Sequence, residues 1–322
     1  MIKQDLEKIK SHCTHKIMYL TYGGSHAYGT NVEGSDVDYR GICFHTKEEI
    51  LGQKNFEQHD MNEVDAVLYS NSKIIKLLLN CNPNVIEMLG TREEDVLIQT
   101  DAGKLLRDNV DIFLSQEAIY SFGGYATAQL RRLQNALARD SYPQEEKEKH
   151  ILGSIKSQMN HLNTHYTDFG ENINCYIDKS DKEEYDSEIF MDIDLKHYPL
   201  RDFKNIYSEM HQVVKDYAKI GKRNNKKTES GLLKHAMHLV RLYLMCFDIL
   251  EGKGVITYRP DRDFLLDIRN GKYTYEDIFT MVNEYEIRLE NLRQSTSLPK
   301  KPNYKKAEEL LMTINRRILD ER

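Results

Sequence analysis

Apolar positions change their period along this chain. Lys16–Tyr22 (KIMYLTY) is rich in β-branched and aromatic residues and runs into glycines, which predicts a strand. Val37–Phe44 (VDYRGICF) and Val64–Tyr69 (VDAVLY) predict two more. From Ser70 to Leu79 the apolar residues Ile74, Ile75, Leu77, Leu78 and Leu79 take up helical spacing, and Asn82–Pro83 ends the run. Beyond about residue 100 the strand signal fades. Helices are predicted over Gln116–Arg139, Gln144–Leu162, Asp202–Ile220, Glu229–Glu251, Tyr275–Gln294 and Lys305–Leu319. Acid-dense Asp178–Asp194 reads as a solvated loop or a ragged hairpin. The pattern predicts an N-terminal α/β region and a C-terminal helical region, divided into residues 1–112 and 113–322.

Composition narrows the class. The chain has 322 residues, enough for two domains, with 40% hydrophobic and 30% charged residues, as in ordinary water-soluble proteins. The apolar stretch Leu239–Leu250 is interrupted by Arg241 and Asp248, so no run approaches a membrane span. The N-terminal MIKQDLEKIK lacks the apolar centre of a signal peptide, and the expected location is the cytoplasm. The five cysteines are scattered without metal-knuckle spacing, and Cys43 and Cys246 lie in apolar contexts that predict core positions. Net charge is −6, against a general nucleic-acid coat. The excess is local: residues 1–100 carry 10 Lys+Arg against 15 Asp+Glu, and residues 101–322 carry 35 against 36. Bound cations could offset that acidic half.

The chemistry concentrates in Thr21–Gly41, TYGGSHAYGTNVEGSDVDYRG. A strand runs into Gly23–Gly24, where backbone can turn sharply and approach a ligand closely. Ser25 follows with a hydroxyl and nearby N–H groups suited to phosphate oxygens. Asp36 and Asp38 are alternate residues, which on a strand share one face. Two neighbouring carboxylates repel unless a cation lies between them, and hard Mg²⁺ or Mn²⁺ suits oxygen ligands. A third carboxylate would complete a two-metal site. Asp65 is the candidate, inside a β-branched run where a charge needs a reason, and Glu63 is its competitor.

This G-S, spacer, D-x-D order resembles the DNA polymerase β-like nucleotidyltransferase superfamily. The closer resemblance is to the RlaP-type, RNA-repair-associated nucleotidyltransferases. It is carried by GSHAYGT…GSDVDYRG, NPNVIEML (Asn82–Leu89), GGYATAQLRRL (Gly123–Leu133) and KHAMHLVRLYLM (Lys234–Met245). The resemblance implies an α+β fold: a palm-like mixed sheet with helices, then an all-helical domain that closes the cleft. It also implies a nucleoside triphosphate such as ATP as substrate, Gly24 and Ser25 at the triphosphate, and Asp36, Asp38 and Asp65 as metal ligands.

Lys234, His238 and Arg241 recur at i, i+4 and i+7, so one helix face carries three potential cations, and Lys234 and Arg241 are candidate triphosphate contacts. His235 reads as a core or supporting histidine. Arg131 or Arg132 could face the cleft, and the tract Lys219–Lys227 (KIGKRNNKK) could meet nucleic-acid phosphates. Tyr28 either stacks on a base or packs under the loop. No P-loop, kinase catalytic stretch or nucleophile elbow is present in the sequence. The expected reaction transfers NMP or dNMP to an acceptor hydroxyl, with a nucleic-acid 3′ end favoured. Synthesis of short signalling oligonucleotides in antiviral defence and AMP transfer onto a protein are the enzyme alternatives. A non-catalytic nucleotide-binding module is the rival from outside enzymology. Neither a membrane partner nor a fixed oligomeric state is implied, and a homo-oligomer is compatible with the sequence.

Overall fold

The computed structural model describes residues 2–141, 173–179, 187–194 and 229–320, with isolated positions 152, 196, 197, 200 and 211. Contacts divide the chain into two compact units: Met1–Arg132 with Ser230–Arg322, and Leu133–Glu229. The boundary expected from the sequence pattern lies at 112/113. Division by compactness instead joins the helices after residue 229 to the N-terminal sheet.

The first unit is built on a five-stranded sheet of order β3-β4-β2-β1-β5. The strands are β1 (Ile17–Gly23), β2 (Asp38–Cys43), β3 (Gln58–Met61), β4 (Ala66–Ser70) and β5 (Val96–Gln99). β1 runs antiparallel to β2 and β5, β2 parallel to β4, and β3 antiparallel to β4, so the sheet is mixed. β3 and β5 are four-residue edge strands, β3 too polar (QHDM) and β5 (VLIQ) too short to signal themselves in sequence, and pairing with β4 and β1 defines them.

Both faces of the sheet are covered. α1 (Ile2–His12) lays Ile9 against Leu20, Tyr39, Cys43, Ala66 and Leu68. Its apolar positions are few and short, which is why the N-terminus reads as merely charged. On the other face Met18, Tyr19 and Ile42 meet α4 (Asn71–Leu79), α5 (Pro83–Ile86), α6 (Asp101–Asp108) and the start of α7 (Glu117–Ser141). The short α2 (Gly24–Tyr28) and α3 (Lys47–Leu51) lie between strands. Ser70 caps α4 by accepting from Lys73 N at 3.1 Å, which sets the strand-to-helix change that the sequence predicted.

Helices from the far end of the sequence complete this core. α8 (Glu229–Leu250) buries Cys246 together with Leu239, Leu242, Met245 and Ile249, the last four each stabilising by about 1.5–3 kcal/mol. α9 (Arg262–Arg269), α10 (Tyr275–Ser295) and α11 (Tyr304–Asp320) follow. Val282 of α10 and Ala307, Leu310 and Ile314 of α11 join the same core. Asn71 of α4 donates to Asn315 of α11 at 2.7 Å. α9 lies outside the predicted elements, and β3, β5, α1 and α6 are likewise found only in the structure. Among the described residues no helix is long and apolar enough to cross a membrane.

In the second unit β6 (Ile173–Lys179) and β7 (Ser187–Ile193) form an antiparallel hairpin, paired from Ile173↔Ile193 to Lys179↔Ser187. The acid-dense stretch is therefore a hairpin in its described part. The predicted helices Gln144–Leu162 and Asp202–Ile220 and the basic tract Lys219–Lys227 lie outside the described residues, single positions aside.

Candidate active site

β1 delivers the chain to Gly23, whose register partner on β2 is Asp38. Gly24 then takes φ +56°, a conformation that favours glycine. A Cβ there would overlap Asp38 Oδ2, so the glycine is required both by its backbone and by the carboxylate beside it. The Gly-Ser turn and the start of β2 at Asp38 thus meet at the shared end of β1 and β2.

Ser25 begins the body of α2 and is nearly buried. Tyr28 closes that helix and is buried beneath it. Its hydroxyl donates to Glu87 Oε1 at 2.6 Å. Burial raises the Tyr28 pKa well above its ordinary value, the neighbouring Glu87 pushes the same way, and Arg241 opposes both. The phenol therefore stays protonated as a donor. Arg241 of α8 stacks 3.6 Å from the centre of the Tyr28 ring and donates from Nη1 to Glu87 Oε2 at 3.2 Å. Residues 255–269 hold the exit from α2. Arg259 N donates to Tyr28 O at 3.1 Å, and Arg269 Nη1 donates to Thr30 O at 2.7 Å. Gly29, φ +71°, has Tyr258 against it, with Tyr258 Cε2 2.6 Å from where a Cβ would sit.

Asp36 and Asp65 lie outside the strands, and Asp38 is the first residue of β2. β2 begins at Asp38, so Asp36 lies in the preceding loop and is exposed. Strand alternation therefore does not by itself align the two aspartates. The reason is the turn before them, where Ser35 N donates to Val32 O at 3.0 Å and Gly34 takes φ +79°. His26 Nε2 lies 3.5 Å from Ser35 O, linking α2 to this loop. Asp65 precedes β4 instead of lying within it. It adopts φ +45° after a 3₁₀ turn at Asn62–Val64, and it is exposed. Its carbonyl accepts from Tyr39 N at 3.0 Å and Arg40 Nη1 at 3.2 Å, anchoring the turn to β2. Parallel pairing of Tyr39 with Ala66 puts Asp65 next to that register at the level of Asp38. Glu63 is exposed on the 3₁₀ turn, so alternation with Asp65 does not apply to it.

All these donors are carboxylate oxygens, which suit Mg²⁺ or Mn²⁺. Among the described residues no three His, Cys, Asp or Glu side chains are gathered closely enough to hold an ion by themselves. An open rim of this kind fits a cation that takes one or two carboxylates and completes its shell with water and substrate phosphates.

The predicted cationic face of α8 grades inward along the helix. Lys234 is exposed, His238 is half-buried and Arg241 is buried. Arg241 is thus committed to Glu87 and Tyr28 rather than open to solvent. His235 Nδ1 lies 3.0 Å from Gln129 Oε1 of α7, a supporting contact. Arg131 and Arg132 lie on α7 with side chains outside the described positions. Tyr28 packs under the loop and is not open to stack on a base. Glu87 escaped sequence reasoning. Its signal is a lone acid in an apolar run (VIEML) matched by a lone arginine in another (HLVRLYLM).

Over 304 residues, the chain is 23% identical to an "Uncharacterized 38.9 kDa protein in nrdC-mobD intergenic region" of Enterobacteria phage T4, covering 85% of this chain and 89% of the phage protein. Residues 1–168 match the family described as RlaP, RNA repair pathway DNA polymerase beta family. That match spans the Gly-Ser turn, the three aspartates and Glu87, and by it the chain belongs to the RlaP family of polymerase β-type nucleotidyltransferases.

Proposed function

We propose that this chain is a metal-dependent nucleotidyltransferase that moves a nucleoside monophosphate, ribo or deoxy, from a nucleoside triphosphate to the 3′ hydroxyl of a nucleic acid. The observation that carries the reading is the apposition of Gly24 and Asp38, which sets a left-handed backbone turn, bare of any Cβ, directly against a carboxylate. The family's description supports an RNA end as acceptor.

In this reading Asp36 and Asp38 would hold the metal ions, and Asp65 would supply the third carboxylate. When bound, divalent ions there polarise the phosphates and lower the pKa of the attacking hydroxyl. The acceptor oxygen attacks the α-phosphorus, the bond to the β-phosphate oxygen breaks, and pyrophosphate leaves. The Asp65 carboxylate takes the hydroxyl proton. Ser25 and the Gly24–Ser25 backbone orient the β and γ phosphates, and exposed Lys234 offsets their charge. Arg241 acts from beneath, through Tyr28, by fixing the floor of the turn.

The test is product analysis. The full chain is incubated with each labelled nucleotide, Mg²⁺ or Mn²⁺, and RNA, DNA or no acceptor. Pyrophosphate release with an RNA lengthened at its 3′ end is expected. Product without acceptor would replace this reading with oligonucleotide synthesis, and label on the protein would replace it with protein modification. Nucleotide binding with no pyrophosphate release under any condition would leave a binding module.

A further inference from the structure

Arg40 stands in the middle of the carboxylate rim, and no role assigned so far uses it. It is the third residue of β2, so it shares a strand face with Asp38. Its side chain is about one-quarter exposed. Nη2 donates to Asp38 Oδ1 at 3.2 Å. Nη1 donates to the carbonyls of Tyr39 at 2.9 Å and Asp65 at 3.2 Å. The other Asp38 oxygen faces Gly24. One guanidinium therefore ties the start of β2 to the left-handed turn before β4, and it sets a positive charge against a carboxylate assigned above to metal.

The three bonds differ in kind. The two carbonyls are neutral acceptors and can stay bonded whatever occupies the rim. The bond to Asp38 is a partly exposed ion pair, and such pairs are weak and readily exchanged. A divalent ion competes for the same carboxylate with twice the charge. A planar, forked guanidinium can lose one partner and keep its place through the others, which a lysine cannot do.

We propose that Arg40 is an exchangeable counter-cation of the rim. It neutralises Asp38 in the metal-free chain and yields Asp38 to a divalent cation. Still anchored through Nη1 on the Tyr39 and Asp65 carbonyls, it then turns Nη2 to an anionic oxygen of the nucleoside triphosphate. This rests on the reading of Asp38 as a metal ligand. Its signature is a pair of opposite effects: loss of Arg40 strengthens metal binding and weakens triphosphate binding. A residue that merely braced the rim would weaken both.

The experiment measures Mn²⁺ binding to the nucleotide-free full chain by electron paramagnetic resonance, for wild type, Arg40→Gln, Arg40→Lys and Asp38→Asn. It also measures the affinity for the tightest-binding of four α,β-methylene nucleoside triphosphates at saturating Mg²⁺. Arg40→Gln is expected to bind Mn²⁺ about tenfold more tightly and the analogue about tenfold more weakly. Arg40→Lys, which keeps the charge without the fork, falls between on both measures. If Arg40→Gln unfolds, Arg40→Lys carries the same pair of readouts. Unchanged or weaker Mn²⁺ binding in the Arg40 variants, with wild-type binding still lost in Asp38→Asn, overturns the proposal and leaves the metal site standing. Mn²⁺ binding that survives in Asp38→Asn overturns both.

Discussion

The two walls of the candidate site are built in opposite ways. The wall under Ser25 is a buried lattice. Tyr28 and Arg241 both donate to Glu87, and the Arg259 main chain and the Arg269 side chain hold the carbonyls at the exit from α2. The wall that bears Asp36, Asp38 and Asp65 is a loop, a strand end and a turn at the water's edge, with Arg40 joining the Asp38 carboxylate to the Asp65 carbonyl. A phosphate-binding turn must keep its shape to accept a fixed anion, and burial supplies that rigidity. Carboxylates that receive a cation must stay solvated until it arrives, because buried unpaired charges would destabilise the fold. The difference teaches which wall should fail in which assay.

The largest expected effect lies on the open wall. Asp38→Ala should lower pyrophosphate release by about a thousandfold or more, roughly 4 kcal/mol of transition-state stabilisation. Its urea midpoint should barely move, because the side chain is partly exposed and the ion pair it loses is weak. Steady-state kinetics and chemical denaturation on one preparation check both halves. A variant that unfolds, or one that keeps its activity, would break the contrast.

The buried wall should respond the other way round. Glu87→Ala leaves Arg241 charged and unpaired among apolar neighbours, and should cost about 3 kcal/mol of folding stability. Activity per folded molecule should fall far less than in Asp38→Ala. Tyr28→Phe is the milder probe, since it removes only the hydroxyl that donates to Glu87 while keeping the ring beneath Arg241. About 1 kcal/mol is expected, read from the denaturation midpoint. A Tyr28→Phe loss equal to that of Glu87→Ala would mean that the two act as a single unit.

How much of this could be read from the chain follows the same division. Gly24, Ser25, Asp36 and Asp38 stand out because each is an awkward residue for its local run, and awkward residues mark sites. The position of Asp65 was only half legible. VDAVLY has strand composition, yet the strand starts after Asp65, because the 3₁₀ turn and the left-handed residue are fixed by bonds to Tyr39 and Arg40. Arg241 announced a charge on an apolar helix but not its direction. A phosphate contact and a buried partner for Glu87 leave the same trace in sequence, and only the contacts of Arg241 with Tyr28 and Glu87 separate them. The association of residues 230–322 with the N-terminal sheet was hidden for a related reason: periodicity reports that a helix has an apolar face, not what covers it.

The smallest expected effect sharpens the contrast through pH. His238 sits on α8 three residues before Arg241, with Arg241, Lys234 and His235 on its own helix and Arg269 on α9 around it. Burial, reinforced by these cations, lowers its pKa from 6.5 to about 3. The ring is therefore neutral when folded, whereas the unfolded chain takes up a proton below pH 6.5. Stability tied to this group is complete above pH 6.5 and is lost as pH falls from there toward 3. One proton sets a ceiling of about 1.4 kcal/mol per pH unit, and water at the half-buried ring should leave only a few tenths of that ceiling. The midpoint of wild type should therefore fall relative to that of His238→Leu between pH 6.5 and pH 4.5, because the variant lacks the proton uptake. Curves that stay parallel would show that acid does not act on the buried wall through His238.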